Sequence, residues 1–255
     1  MGSCIIEKFG YYTELTEQEK TLLRRFEDEK EHYKAGDLIA GKGKDFDKLY
    51  IMYSGWGYVS TNLDKHLRSI FDIRMNSDFI GTSELSFSNH LYDFYALTDA
   101  VVCPFPKKHL EEMFNISHKL RDIFLMIISR EKAIANERIM SIGRRTAVER
   151  VAHFIMEVAL RFDMIGGQIK GAFDFPLTQE HIADILGLSP VHVSRAMSNL
   201  KENNYITYKR NTMSIIDKER LFNLSGFNPT FLTKPRTDLD YNSDNIFISI
   251  KTGEQ

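Results

Sequence analysis

Cysteine is scarce: Cys4 and Cys103 are the two in 255 residues. Two thiols this far apart exclude a disulfide framework, and they exclude an iron–sulfur or other four-thiolate centre built within one chain. No apolar run approaches the ~20 residues that span a bilayer. Met1–Gly10 carries charge and no apolar block before a cleavage site, so no secretory signal is expected. There is no nucleophile elbow and no helix with metal-spaced His and Glu, and no enzyme class is favoured. Gly41-Lys42-Gly43-Lys44 has phosphate-loop glycines without the strand–helix context, and it reads as a turn. An excess of one charge is also lacking, since 33 Lys and Arg face 35 Asp and Glu for a net −2. Hydrophobic residues at 43% and charged residues at 27% are those of a soluble globular chain. The length suits two domains with separate cores. A soluble, cytoplasmic protein with no membrane partner is expected.

Short glycine-punctuated strands occupy the first part. Tyr33–Ile39, Leu49–Tyr53, Gly57–Ser60, His66–Phe71 and Ala100–Cys103 are rich in β-branched and aromatic residues, with turns at Gly36-Asp37, Ser54-Gly55, Asn76-Ser77-Asp78 and Gly81. That spacing predicts an antiparallel sandwich or barrel. Thr16 with Glu19 predicts a capped helix carrying Leu22, Leu23 and Phe26. From Lys107 the period changes to three or four residues. Ser117–Ser141 predicts a helix about 37 Å long, with Leu120, Ile123, Phe124, Ile127, Ile128, Ile134 and Ile139 along its apolar stripe. A helix this long is either a dimer seam, to which those residues are assigned, or a core helix within one chain. Gly143 is expected to end it, and a second amphipathic helix follows with Val148, Val151, Ala152, Ile155, Val158 and Ala159 on one face. The organisation expected is a sensor unit over 1–115, a dimerising helix over 116–142, a DNA-reading unit over 143–226 and a poorly ordered tail over 227–255, in which Asn245–Ile250 has strand composition.

The most informative stretch is Thr178–Leu200. Thr178 caps a first helix with Ile182, Ile185 and Leu186 on its apolar face, and Gly187 supplies the left-handed turn. Ser189 and Pro190 start a second helix that Val193, Ala196, Met197 and Leu200 bury. Two core helices with a solvated arginine would be the plain alternative, but cap, turn and small residues coincide as in a helix-turn-helix, whose second helix enters the DNA major groove. Its exposed side carries Val191, His192, Ser194, Arg195 and Ser198. Arg195 matches O6 and N7 of guanine. Ser189, Thr178 and Gln179 sit at helix N-termini suited to phosphates, while Lys201, Lys209 and Arg210 add phosphate attraction. Two strands around Lys209–Thr212 read as a wing. Residues 141–220 carry 11 basic against 9 acidic groups, a mild local excess.

These features together resemble the Crp/Fnr family of bacterial transcription regulators, over roughly residues 10–222. The local matches are Tyr33–Asp37, Leu49–Gly55, Asp78–Gly81, Ala96–Ala100 and Leu188–Arg195. The resemblance implies an α+β chain: an antiparallel β-roll like a cyclic-nucleotide-binding domain, a dimerising helix and a winged helix-turn-helix. It implies a homodimer on a pseudo-palindromic double-stranded DNA site, with RNA polymerase as a partner. Arg195 falls where the family keeps its base-reading arginine, and Ser194 matches a serine of the oxygen-sensing branch. Val191 departs, because a glutamate is common there.

Members that bind cyclic nucleotides carry Gly-Glu and then Arg-Ser to hold the phosphate. Here Gly81 is followed by Thr82-Ser83-Glu84, His90-Leu91 stands at the Arg-Ser place, and no arginine occurs between Arg74 and Arg121. Cyclic-nucleotide control is therefore not expected, though an altered cassette is a competing reading. So is a small-molecule receptor whose helix-turn-helix contacts protein. Glu84 and His90 are the candidate effector residues. No metal or cofactor is assigned. Haem is left open, with His32, His66, His90, His109 and His118 as conceivable ligands. Cys103, in an apolar strand, reads as an inert core thiol.

Overall fold

The computed structural model describes residues 3–64, 67–164 and 172–232. His66 and the strand-like Asn245–Ile250 lie outside them. Helices α1 (Cys4–Gly10) and α2 (Glu17–Arg25) come first. Strands β1 (Glu31–Tyr33), β2 (Leu38–Ala40), β3 (Lys48–Ser54), β4 (Gly57–Asp64), β5 (Leu67–Arg74), β6 (Phe79–Ile80), β7 (Asp93–Ala96) and β8 (Ala100–Pro106) follow. They form two antiparallel sheets, β1-β8-β3-β6 and β2-β7-β4-β5. Between them Ile39, Met52, Ile80, Phe94 and Val102 make a dry core. Gly55, at φ +88, makes the tight turn from β3 to β4, where a Cβ would stand 2.5 Å from the Asp99 carbonyl. Thr16 and Glu19 form the expected capping box on α2. Nothing in the sequence reading anticipated α1, which presses Ile5 and Phe9 onto the outer face of the first sheet.

The run from Lys107 forms two helices, α3 (Lys107–Ile116) and α4 (His118–Arg144). Ser117 is extended and its hydroxyl accepts the Leu120 amide, which restarts the helix. Gly143 does not end α4: the helix runs on to Arg144, because a lone glycine in a packed helix carries only a propensity penalty of ~1 kcal/mol.

A second correction concerns the apolar stripe. Leu120, Ile123, Phe124 and Ile127 are buried with Phe79 and Phe105 against α1, α2 and the roll, and Ile134 is buried toward the C-terminal unit. They leave no surface for a partner, so the seam assignment fails for these five. Ile128 stays half-buried and Ile139 is 66% exposed.

Beyond α4 come α5 (Ala147–Met164), β9 (Phe173–Asp174), α6 (Gln179–Leu186), α7 (Pro190–Glu202), β10 (Ile206–Lys209), β11 (Thr212–Ile215) and α8 (Lys218–Ser225). One apolar cluster runs from Trp56, Ile70 and Ile73 of the roll through α5 into α6, α7 and the wing. Phe227 and Leu232, in the region read as tail, are buried in it too.

A charge network knits these layers together. Half-buried Asp72 accepts from Arg74 at 3.0 Å and from Arg138 of α4 at 3.1 Å, and Arg161 of α5 stands 3.7 Å away. Arg161 also meets Asp78 at 2.8 Å, which in turn pairs with Lys8 of α1. Glu157, fully buried, takes Arg138 and Arg161, while Glu131 takes Arg74 and the Thr82 hydroxyl. Four cations and four carboxylates thus neutralise one another where roll, α4 and α5 meet. Burial opposes ionisation of Asp72, but Arg74, Arg138 and Arg161 overcome it and hold its carboxyl below the usual range.

Candidate nucleic-acid interface

The turn between α6 and α7 is built as its residues dictate. The Thr178 hydroxyl accepts the His181 amide at 3.2 Å, and the Thr178 amide donates to His181 Nδ1 at 3.3 Å. This is a capping box with an imidazole in place of the usual carboxamide or carboxylate. Desolvation, helped by Arg68, lowers the His181 pKa and favours the neutral ring that can accept. Gly187 ends α6 at φ +60, where the Leu188 amide returns to the Ala183 carbonyl at 3.1 Å. Ser189 caps α7 through the His192 amide, with Pro190 at its first position.

Val193, Ala196, Met197 and Leu200 bury one side of α7. The other side carries exposed Val191, His192 and Arg195 near its N-terminus, with Ser194 and Ser198 half-buried beside them. The Ser189 hydroxyl and His192 Nδ1 lie 3.1 Å apart, which orients the ring. Arg195 has no hydrogen bond or ion pair with any described residue, so its five donors are free for an external acceptor. Thr178, Gln179 and Ser189 are exposed at the two helix starts. The amide and hydroxyl of Thr178 are both engaged in its cap, which leaves Gln179 and the backbone beyond it for phosphate. Lys201 is exposed but does not share the reading face, since six residues carry it about 120° round the helix from Arg195. The wing pairs Ile206 with Ile215 and Lys209 with Thr212. Its two-residue turn places Arg210 at φ +50 and Asn211 at φ +62, holding Lys209 and Arg210 at the exposed tip.

The back of α6 rests on the roll. Asp184 receives Arg68 Nε at 2.7 Å, and the His181 ring lies 5.6 Å from that of Tyr58. Arg150 of α5 donates to the Leu186 carbonyl and to that of Ile142, tying the ends of α6 and α4 together. The reader is therefore held with α7 outward.

Behind α6 a cavity of ≈ 700 Å³ opens between the roll and α4, bordered by Phe71, Thr82, Ser83, Tyr92, Ile128, Ile139 and Ile185. The candidate effector residues Glu84 and His90 border it and bond to one another. Glu84 stands 2.7 Å from His90 Nδ1 and accepts the Leu91 and Tyr92 amides, and both residues are buried. They brace their own loop, and of their side-chain polar atoms His90 Nε2 takes no hydrogen bond from any described residue. The histidines considered for haem are not brought together: His32 and His118 are exposed, and His109 stacks on Phe26. Cys103 is fully buried, and desolvation together with Glu27 pushes its thiol up to about 12.

Residues 30–117 match the cyclic nucleotide-binding domain, and residues 149–224 match the Crp-like helix-turn-helix domain. FixK2 from Bradyrhizobium japonicum superposes with a TM-score of 0.69 at 25% identity, over 77% of this chain and 96% of that one. The chain belongs to the Crp/Fnr family. It is a DNA-binding transcription regulator of the Crp/Fnr type, with the α+β architecture expected. The curated Crp/Fnr relatives include the transcriptional activator protein FnrL of Cereibacter sphaeroides, 28% identical over 200 residues, covering 76% of this chain and 79% of the relative. The anaerobic regulatory protein of Haemophilus influenzae is 25% identical over 230 residues, covering 90% and 89%. A cyclic nucleotide, the ligand the Crp/Fnr roll implies, does not fit here. The loop that would cradle its phosphate contributes no arginine, and Arg74 and Arg138 beside the cavity are already engaged by carboxylates.

The sequence reading assigned Ile128 and Ile139 to the seam but did not separate out the second stripe on α4 to which they belong. Leu125, Ile128, Lys132, Ala135, Ile139 and Ile142 recur at intervals of three and four, and all but half-buried Ile128 are exposed. Lys132 and Ala135 mask this 3-4 alternation, and the stronger stripe one face over obscures it.

Proposed function

We propose that the protein is a homodimeric regulator that reads a pseudo-palindromic operator through α7 and is not controlled by cyclic nucleotides. The observation that carries this reading is Arg195, paired with no described residue, on the exposed side of a helix whose other side is fully buried. Guanine is the natural acceptor for such a guanidinium in the major groove. Two-fold pairing sets two copies of α7 about one helical turn apart on DNA.

The dimer seam in this reading is the stripe Leu125, Ile128, Lys132, Ala135, Ile139 and Ile142, whose spacing is that of a coiled coil. The cavity opens along the same stripe, so a second copy roofs it. An Ile139→Glu variant should weaken the dimer by about a hundredfold or more, because each of two symmetric isoleucines forfeits at least ~1.5 kcal/mol of burial. Sedimentation shows this as a monomer, with operator affinity lost in parallel. A dimer that survives the change sinks this seam. RNA polymerase is the protein partner that suits an activator of this kind, and a cytoplasmic location suits DNA as the target.

Calorimetry with cyclic AMP and cyclic GMP tests the roll. No heat is expected with either, and micromolar binding of one would overturn the reading of the Gly81–Tyr92 loop.

A further inference from the structure

Val191 is the large apolar side chain that the reading face of α7 does not explain. It is 58% exposed and belongs to none of the apolar clusters, so folding gives it no role. It stands four residues before Arg195, hence one turn away on the same face and ~6 Å along the axis. We infer that Val191 is a second base-reading residue that selects a thymine through its C5-methyl group, within about two base pairs of the guanine taken by Arg195. This rests on α7 entering the major groove as proposed above.

An isopropyl group has no donor or acceptor and gains nothing from a phosphate oxygen. Among base edges in the major groove, the thymine methyl is the apolar feature it can meet. Against cytosine or a purine edge it would strip water from N4–H, N7 or O6 without replacing a hydrogen bond. The neighbouring polar side chain does not compete for this contact, because His192 is held by the Ser189 cap. A carboxylate at position 191 would instead accept from cytosine N4. The valine therefore moves the preferred base from cytosine to thymine.

The experiment is a binding cycle on the operator obtained by selection with the wild-type protein. Each thymine within two base pairs of the selected guanine is replaced by deoxyuridine, which removes one methyl and nothing else. Fluorescence anisotropy then compares wild type, Val191→Ala and Val191→Glu. One replacement should weaken the wild type about fourfold per half-site, the worth of one buried methyl. The same replacement should leave Val191→Ala unchanged, and Val191→Glu should prefer cytosine at that position. Silence at every thymine, or a methyl effect that persists in Val191→Ala, overturns the assignment while leaving the regulator intact. A wild type that selects no site at all overturns the regulator reading and this inference with it.

Discussion

Replacing Arg195 by alanine is expected to weaken operator binding by about fivefold to a hundredfold per half-site, the equivalent of the ~1–3 kcal/mol carried by a bidentate arginine–guanine pair. The side chain is exposed and pairs with no described residue, so its removal should leave the melting temperature unchanged. Binding to unrelated duplex should fall far less, because phosphate attraction comes from Lys209, Arg210 and other surface cations. Titrations of operator and random duplex at one fixed salt concentration separate the two effects. Equal losses on both would mean that Arg195 is a phosphate contact and that the base is read elsewhere.

Replacing Asp72 by alanine should have the largest effect on folding. Its carboxylate meets Arg74 and Arg138 directly and faces Arg161, from strand, long helix and reader. Removing one partner of a buried pair leaves charges uncompensated and costs about 3–5 kcal/mol, a large part of the ~5–15 kcal/mol that holds a typical fold. A fall in melting temperature of roughly 10 °C or more follows. A loss below ~1 kcal/mol would mean the network contributes no more than a surface pair.

The same network sets an acid limit. Burial opposes ionisation of Asp78, yet Lys8, Arg161 and Arg74 hold its carboxyl well below the usual range, and Asp72 is lowered likewise. Folded values below the unfolded ~3.9 mean that their stabilisation is complete above about pH 5 and is lost as pH falls toward the folded values. Glu131 runs the other way. Burial raises its carboxyl despite Arg74 and Thr82, so taking up a proton returns a little stability before the main loss. The melting temperature should therefore hold down to about pH 5 and drop below about pH 4.

The reader was legible because its determinants are local. A cap at Thr178, a glycine at 187 with positive φ, and Ser189-Pro190 each fix their own backbone, and the structure places them as read. Most strands of the roll were legible for the same reason. The stretch read as one strand over Tyr33–Ile39 divides at a turn into β1 and β2, however, and β7 was not anticipated. What escaped was what depends on the neighbour across a helix. The periodicity of α4 showed an apolar stripe but not which body covers it. Leu120, Ile123, Phe124 and Ile127 turned out to be covered by the roll, α1 and α2 of the same chain. The weaker stripe ending in Ile139 and Ile142 was left open. The charge network was equally hidden, since Asp72, Glu131, Arg138, Glu157 and Arg161 look like solvated charges until three elements bring them together. Glu84 and His90 drew attention as free polar groups, and only the loop's own geometry shows them bonded to one another.

The most direct test of the account is selection from a random pool of duplex DNA by the purified full-length protein. It predicts enrichment of an inverted repeat with a guanine in each half and half-site centres about one helical turn apart, each guanine losing its enrichment in the Arg195→Ala variant. A pool that stays random, or a site with no two-fold symmetry, would contradict it.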